Sequence, residues 1–311
     1  MGKIKIAIAG IGGVGGFFGG KLAAQFYNSA GIDVCFIARG ANETAIKTKG
    51  LKLVTANDEQ IIHPAMVTSN AVELGKVDYL ICCTKSYGLE EMIKQLNPCI
   101  TNKTVILPLL NGVDSCERIK KILPINEIWD GCVYLIARLI EPGLVKETGS
   151  TSSIFFGAAN ATKEKLSFLE TSFKTAGIDA NAVENIEQII WKKFAFISTI
   201  ATLTSYLDKP IGAILKNETD KQLLHKLLNE LVSVAEKKQK LLPVNITAEI
   251  IDRLVSLPYE ATSSMHSDFK KGGKTELESL TGYVVRAGKE LNTPTPTYNL
   301  MYAALLSKNL S

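Results

Sequence analysis

Ile4-Lys5-Ile6-Ala7-Ile8-Ala9-Gly10-Ile11-Gly12-Gly13-Val14-Gly15 is the stretch on which the fold turns. Six residues of near-continuous apolar character read as a buried strand, and glycine spacing of the form GxGxxG follows at once. The residues after Gly13 have a helical pattern as far as Asn28. In a strand–turn–helix setting the three glycines do separate work. Gly10 allows the tight turn, Gly12 removes a side chain where a pyrophosphate must approach the backbone, and Gly15 lets helix and strand pack closely. The unpaired N–H groups at the helix start face the anion, so Gly10, Ile11, Gly12, Gly13, Val14 and Gly15 together form the expected phosphate-binding turn of a dinucleotide site.

The end of the second strand selects the dinucleotide, because proteins that bind NAD usually place a carboxylate there for the ribose 2′-hydroxyl. Here the strand ends Phe36-Ile37-Ala38-Arg39-Gly40. Arg39 offers a charged fork to a 2′-phosphate and no acid is present to repel it, so NADPH is expected rather than NADH. Asp33 stands at the other end of that strand, the wrong place to hold ribose.

Outward from this stretch, short apolar runs alternate with helical patterns, as in a parallel sheet covered by helices. Strands are expected at 33–38, 79–83, 104–107 and 128–137, with helices after Tyr87 and after Gly112, a small hairpin over 51–67, and closing strands at 143–146 and 153–156. From about Glu184 the texture changes to helices at 186–207, 219–239, 247–257, 275–290 and 297–307. The fold class is therefore α/β. A Rossmann-type dinucleotide-binding domain at 1–183 precedes a mainly α-helical, substrate-binding and catalytic domain at 184–311.

Composition excludes several other classes. Hydrophobic residues make up 46% and charged residues 21% of the chain, ordinary globular values. A net charge of +4 over 311 residues is too small to make nucleic acid or an anionic membrane the main partner. The most apolar run, Ile6–Gly20, has seven glycines among its fifteen residues and so suits neither a signal-peptide core nor a membrane span, which needs about 18 apolar residues. Cys35, Cys82, Cys83, Cys99, Cys116 and Cys132 form neither CxxC pairs nor a His-Cys cluster at zinc spacing. They read as small apolar fillers in a reduced, cytoplasmic protein without a metal site.

A reduced dinucleotide supplies hydride, so the protein must add a proton to a carbonyl oxygen. His63 falls in the hairpin and His225 on an amphipathic helix, both better suited to structural or solvent-facing roles. His266 lies in a more suggestive neighbourhood, but a lysine is the stronger acid candidate, in Trp191-Lys192-Lys193-Phe194-Ala195.

With these residues in view, the chain resembles the ketopantoate reductase (2-dehydropantoate 2-reductase) family over essentially its whole length. The resemblance rests on the glycine turn, Thr84-Lys85 after an apolar strand, Leu110-Asn111-Gly112, Trp191-x-Lys193, Ser263-Ser264-Met265-x-x-Asp268, and Glu276 twelve residues after Ser264. It implies that Lys193 protonates the substrate carbonyl and stabilises the growing alkoxide. By the same resemblance, Lys85 and Asn111 line the cofactor, Asn111 also helping to place substrate. Ala137 touches the cofactor through its backbone, Ser264 binds the substrate carboxylate, and Glu276 serves the nicotinamide ribose and the reaction. Lys192, about 100° round the helix from Lys193, points elsewhere.

The family usually carries asparagines one and two turns beyond that lysine. Here those positions are Ile197 and Ala201, an apolar wall, and Ser198 and Thr202 would replace the amides only on a rotated helix. The expected activity is NADPH-dependent reduction of ketopantoate to pantoate, in pantothenate and coenzyme A synthesis. A reductase of a more apolar 2-oxo acid, or a non-catalytic NADPH sensor, are the alternatives. Lys193, Ser264 and Glu276 argue against a sensor, which needs neither proton donor nor carboxylate site. A homodimer is a plausible assembly for a chain with such a helical domain.

Overall fold

The computed structural model describes residues 2–149 and 151–309. It divides into two compact units, Met1–Leu110 with Asp114–Ile186, and Asn111–Val113 with Glu187–Ser311. The three residues around Gly112 therefore pack with the second unit, which a linear division at Val183 does not anticipate.

The first unit begins β1 (Ile4–Ala9), α1 (Gly13–Gln25), β2 (Ile32–Ile37) and α2 (Gly40–Lys49). There follow β3 (Leu51–Val54), β4 (Glu59–Ile62), β5 (Met66–Thr68), α3 (Ala71–Leu74), β6 (Tyr79–Cys82), α4 (Leu89–Leu96), β7 (Val105–Pro108) and α5 (Ser115–Lys120). The unit closes with β8 (Glu127–Ile128), β9 (Asp130–Tyr134), β10 (Ala137–Glu141), β11 (Leu144–Glu147), β12 (Ser153–Gly157), α6 (Lys163–Thr175) and β13 (Asp179–Ala182). The main sheet has the order β5-β2-β1-β6-β7-β8 and is parallel throughout. Its central strands are apolar on both faces because helices cover both, and Ile6, Ala7, Ile8 and Ala9 are wholly buried. Two smaller sheets accompany it, β10-β11-β3-β4 and β13-β12-β9.

α1 is a helix despite five glycines in thirteen residues, each of which costs about 1 kcal/mol of intrinsic propensity. Close packing explains it. A Cβ on Gly16 would come within 2.5 Å of Val145, and one on Gly19 within 3.0 Å of Ile8, while Phe17, Phe18 and Leu22 are buried.

Two expectations need correction. The run 128–137 is not one strand: β8, β9 and β10 belong to three different sheets. Glycine at 131 permits the close crossing that follows the first change of sheet: a Cβ there would lie 2.7 Å from the Pro108 carbonyl oxygen, so β9 passes the end of β7 at contact distance. The hairpin at 51–67 is shorter than expected, pairing only β3 with β4, while β5 joins β2 in the main sheet. α2, α6 and β13 were not legible in the apolar pattern.

The second unit consists of α7 (Ile186–Leu207), α8 (Ile211–Lys216), α9 (Glu218–Lys237), α10 (Ile246–Val255), α11 (Ser264–Lys270), α12 (Tyr283–Glu290) and α13 (Pro296–Asn309). Its core holds Leu224, Leu227, Leu228, Leu231 and Val234 of α9 with Met301 and Leu305 of α13. Trp191 and Phe194 pack edge-on to each other and to Tyr283 of α12, which anchors the start of α7. The stretch expected as one helix at 275–290 contains a π-helical segment, Glu278–Gly282, before α12. No helix among the described residues is long and apolar enough to cross a membrane.

Candidate active site

In the first unit the site is built from backbone. Gly10 has φ +94°, a conformation open to glycine, and a Cβ there would meet Thr84 at 2.9 Å, so Thr84-Lys85 lies beside the glycine turn. A Cβ on Gly15 would be 2.1 Å from the Gly10 carbonyl oxygen, and one on Gly13 2.1 Å from that of Ala137. Thus Ala137, at the start of β10, closes against the first residue of α1. Gly12 differs from all three: a Cβ there would meet nothing within 4 Å. The protein has no steric need of glycine at this position, whereas a close-approaching phosphate would.

The first turn of α1 suits an anion for independent reasons. Its N-cap is Gly12, with no side-chain cap and no acid in the first turn, and the first helical bond runs from Gly16 N–H to the Gly12 carbonyl at 2.8 Å. The preceding amides have no acceptor from an N-cap side chain, and the helix dipole adds to their pull. The buried Thr84 hydroxyl, next to Gly10, has no hydrogen-bond partner. These residues fit a dinucleotide diphosphate.

Arg39 is exposed at the N-cap of α2, its guanidinium donating to Gln95 of α4. Asp33, at the opposite end of β2, pairs with Lys3 at 2.9 Å. Lys85 is exposed just after β6.

Two residues that support this site have no sequence signature. Asn42 donates to the Ile11 carbonyl at 2.9 Å and accepts from Gly143 N–H at 2.8 Å, tying the glycine turn to the β10–β11 hairpin. Arg118 binds both carboxylate oxygens of Glu90, at 2.6 and 2.7 Å, and the Ser86 carbonyl at 2.6 Å, bracing the turn that carries Lys85. That pairing holds the Glu90 carboxyl below its usual range. Each is visible only once distant strands and helices are assembled.

In the second unit side chains do the work. Lys193 Nζ donates to Asn111 Oδ1 at 3.0 Å, joining residues 82 apart in sequence. Gly112, with φ +110°, makes the turn beyond Asn111. Lys192 points away and pairs with Glu249 of α10 at 2.5 Å. Glu276 is buried at 4% exposure, its carbonyl accepting from Leu280 N–H and the Ser279 hydroxyl.

Beyond Lys193, α7 turns its hydroxyls inward. Ser198 donates to the Leu280 carbonyl at 3.1 Å and meets the Tyr298 hydroxyl at 2.9 Å, while Thr202 meets Thr281 at 2.8 Å. All four are wholly buried, so Ser198 and Thr202 clamp the π-helical segment after Glu276 and do not replace the missing amides. Ile197 is half-buried, whereas Ala201 at 2% exposure is part of the helical core. Ser264 is exposed as the first residue of α11, and its neighbour Ser263 supplies the N-cap.

Among the three histidines, His63 and His225 are exposed, whereas His266 is buried. Burial pushes the Cys35 thiol up to about 11 and raises those of Cys82, Cys83 and Cys116, which leaves them inert fillers at neutral pH. Among the described residues no three His, Cys, Asp or Glu side chains gather as metal ligands do.

A parallel sheet with a GxGxxG turn after its first strand in one unit, and a lysine held by an asparagine amide in the other, are the parts expected of a dinucleotide-dependent oxidoreductase. The model of the family described as ketopantoate reductase PanE/ApbA matches residues 6–161, and that of its C-terminal region matches 185–309. The structure is similar to 2-dehydropantoate 2-reductase from Porphyromonas gingivalis W83, with a TM-score of 0.85 and 36% identity over 98% of this chain and 99% of that one. It is also similar to D-mandelate dehydrogenase in its ternary structure with NADH and anilino(oxo)acetate, with a TM-score of 0.85 and 28% identity over 98% of both chains. The uncharacterized oxidoreductase YkpB of Bacillus subtilis (strain 168) is 28% identical over 97% of this chain and 98% of its own. The chain belongs to the ketopantoate reductase family and is a nicotinamide-dinucleotide-dependent oxidoreductase.

Proposed function

We propose that this protein reduces a small 2-oxo acid to the 2-hydroxy acid with NADPH, with ketopantoate to pantoate, a step of pantothenate and coenzyme A synthesis, as the leading case. The observation that carries the reading is the Lys193–Asn111 hydrogen bond, 3.0 Å long. It restrains the side-chain nitrogen through an amide oxygen and so fixes its direction. When bound, the dinucleotide supplies hydride to the substrate's C2. Lys193 gives one proton to the carbonyl oxygen, stabilises the negative charge that grows there, and is reprotonated from solvent. The turn at 10–15 holds the diphosphate, Lys85 and Ala137 line the dinucleotide, and Arg39 pairs with a 2′-phosphate. Ser264 binds the substrate carboxylate, Asn111 helps to place the carbonyl, and Glu276 serves the ribose and the reacting centre.

Ile197 favours a second reading within the same chemistry. One turn beyond Lys193, α7 carries a butyl side chain, and the neighbouring hydroxyls of Ser198 and Thr202 are already bonded in the core. A helix wall without amides discriminates poorly for a substrate hydroxyl, so a 2-oxo acid with an apolar branch would be taken at least as well as ketopantoate. NADPH consumption with ketopantoate, 2-oxoisovalerate, 2-oxoisocaproate and phenylglyoxylate separates the two. Turnover of ketopantoate above the rest supports the first reading, and turnover of the apolar acids alone supports the second. Tight NADPH binding without oxidation by any of them would remove both.

A further inference from the structure

Just past α7, Asp208 departs from what a helix end favours. It has φ +52°, a left-handed conformation that costs a non-glycine residue of this kind about 1 kcal/mol. It also places a carboxylate at the negative end of the helix dipole, where glycine or asparagine is usual. Residues that break such local rules commonly do so for a partner. Here the partner is His266, whose Nε2 lies 2.7 Å from Asp208 Oδ1 although the imidazole is buried at 2% exposure. Lys270 Nζ stands 3.4 Å from the same oxygen. The His266 hydrogen bond, and then Lys270, hold the Asp208 carboxyl below its usual range.

A second link runs parallel to the first. His266 N–H donates to Ser263 Oγ at 3.0 Å, Ser263 Oγ meets Thr204 Oγ1 at 2.9 Å, and Thr204 Oγ1 donates to the Ile200 carbonyl at 2.6 Å. A hydroxyl has one proton, and that of Thr204 goes to Ile200, so Ser263 must be the donor in the middle bond. The direction of every bond is then determined. Thr204 in the last turn of α7 and Asp208 just beyond it hold Ser263, the N-cap of α11, and His266 in its first turn, and Ser264 lies between the two ties.

We propose that the Asp208–His266 pair, with the Thr204–Ser263 bond, is a positioning device for the substrate site: it sets the placement of Ser264 relative to the lysine-bearing helix, and thereby the affinity for the oxo-acid carboxylate. Asp208 and His266 are positioning residues and touch no substrate. The inference rests on the proposed function through the role of Ser264. It assigns to His266 a task other than proton transfer, and it explains a carboxylate where helix-end electrostatics disfavours one.

Asp208→Gly tests it, because glycine accepts the left-handed backbone and removes only the carboxylate. The expected result is an unchanged or raised Tm, an NADPH Kd within about twofold of wild type, and a kcat within about threefold. KM for the 2-oxo acid that the wild type reduces best should rise roughly tenfold, since a misplaced binding group is costly. Asp208→Asn keeps an acceptor in place and should restore most of that KM. Hydrogen exchange of residues 263–270, measured without ligand, should be faster in Asp208→Gly and near wild type in Asp208→Asn. A KM unchanged in Asp208→Gly, or a fall in kcat and Tm together with the rise in KM, would overturn the proposal. If the wild-type protein reduces no 2-oxo acid, the proposed activity fails by itself, and exchange decides the positioning role: unchanged exchange in Asp208→Gly overturns it.

Discussion

The glycine turn at residues 10–15 and the helix at 186–207 use opposite parts of the polypeptide. In the turn, main-chain amides and carbonyls form the surface, and at Gly10, Gly13 and Gly15 neighbouring atoms fill the space a side chain would take. On the helix, Lys193, Ser198, Thr202 and Thr204 each act through a side chain, with partners that come from Asn111, the π-helical segment and the N-cap of α11. A backbone site tolerates few residue types and leaves a local signature. A side-chain site depends on where each residue's distant partner stands, and one helix can serve several substrates by changing a single position.

The largest effect expected from perturbing this pair of regions is at Lys193. Lys193→Ala should lower kcat by about 10²- to 10⁴-fold, the usual worth of a general acid, and leave the NADPH Kd within about twofold. Steady-state kinetics beside a fluorescence titration of NADPH measure both, and near-normal turnover would remove the proton-donor role. Next come two neighbouring glycines with opposite outcomes. Gly13→Ala drives a methyl against the Ala137 carbonyl, 2.1 Å away, and should cost about 1–3 kcal/mol of stability, outweighing the gain in helix propensity. Gly12→Ala meets no protein atom within 4 Å, so Tm should hold while NADPH affinity falls roughly tenfold, a split seen by thermal melts with and without NADPH. If Gly12→Ala bound NADPH normally, the diphosphate would not lie on this turn.

Arg39→Ala should reduce the NADPH-over-NADH preference by roughly tenfold, the low end for a charge-assisted hydrogen bond, with little change in kcat for NADH. An unaltered ratio would place 2′-phosphate recognition elsewhere. The smallest effect is at Ile197. Ile197→Asn should raise kcat/KM for ketopantoate over 2-oxoisocaproate by about three- to tenfold, because it returns a polar partner to the helix face that carries Ile197 and Ala201. An unchanged ratio would show that this residue does not face the substrate's branch.

Much of the first unit was legible from residue order because buried parallel strands are short apolar runs and the turn after β1 is glycine-rich. What failed was the segment 128–137, where apolar character interrupted only by Asp130-Gly131 conceals two changes of sheet, at Trp129 and at Leu135-Ile136. Apolarity reports burial and not the identity of the pairing strand. α8 and α11 were missed for a related reason: at six and seven residues they are too short for periodicity to show. In the second unit Trp191 and Lys193 stood out, yet the inward direction of Ser198 and Thr202 was left open, since helical spacing says which residues share a face but not what that face meets.

Residue order alone determined that a GxGxxG turn follows the first strand, that β2 is followed by an arginine and no acid, and that a long helix carries a lysine as candidate proton donor. These are local properties, encoded in steric size and backbone freedom over a few consecutive positions. Only the tertiary structure decided that Asn111 restrains Lys193, that Asn42 and Arg118 brace the first unit's turns, and that Asp208 and His266 tie α11 to α7. Hydrogen bonds between side chains depend on positions good to a fraction of an ångström, and for residues tens of positions apart only the folded chain supplies that accuracy.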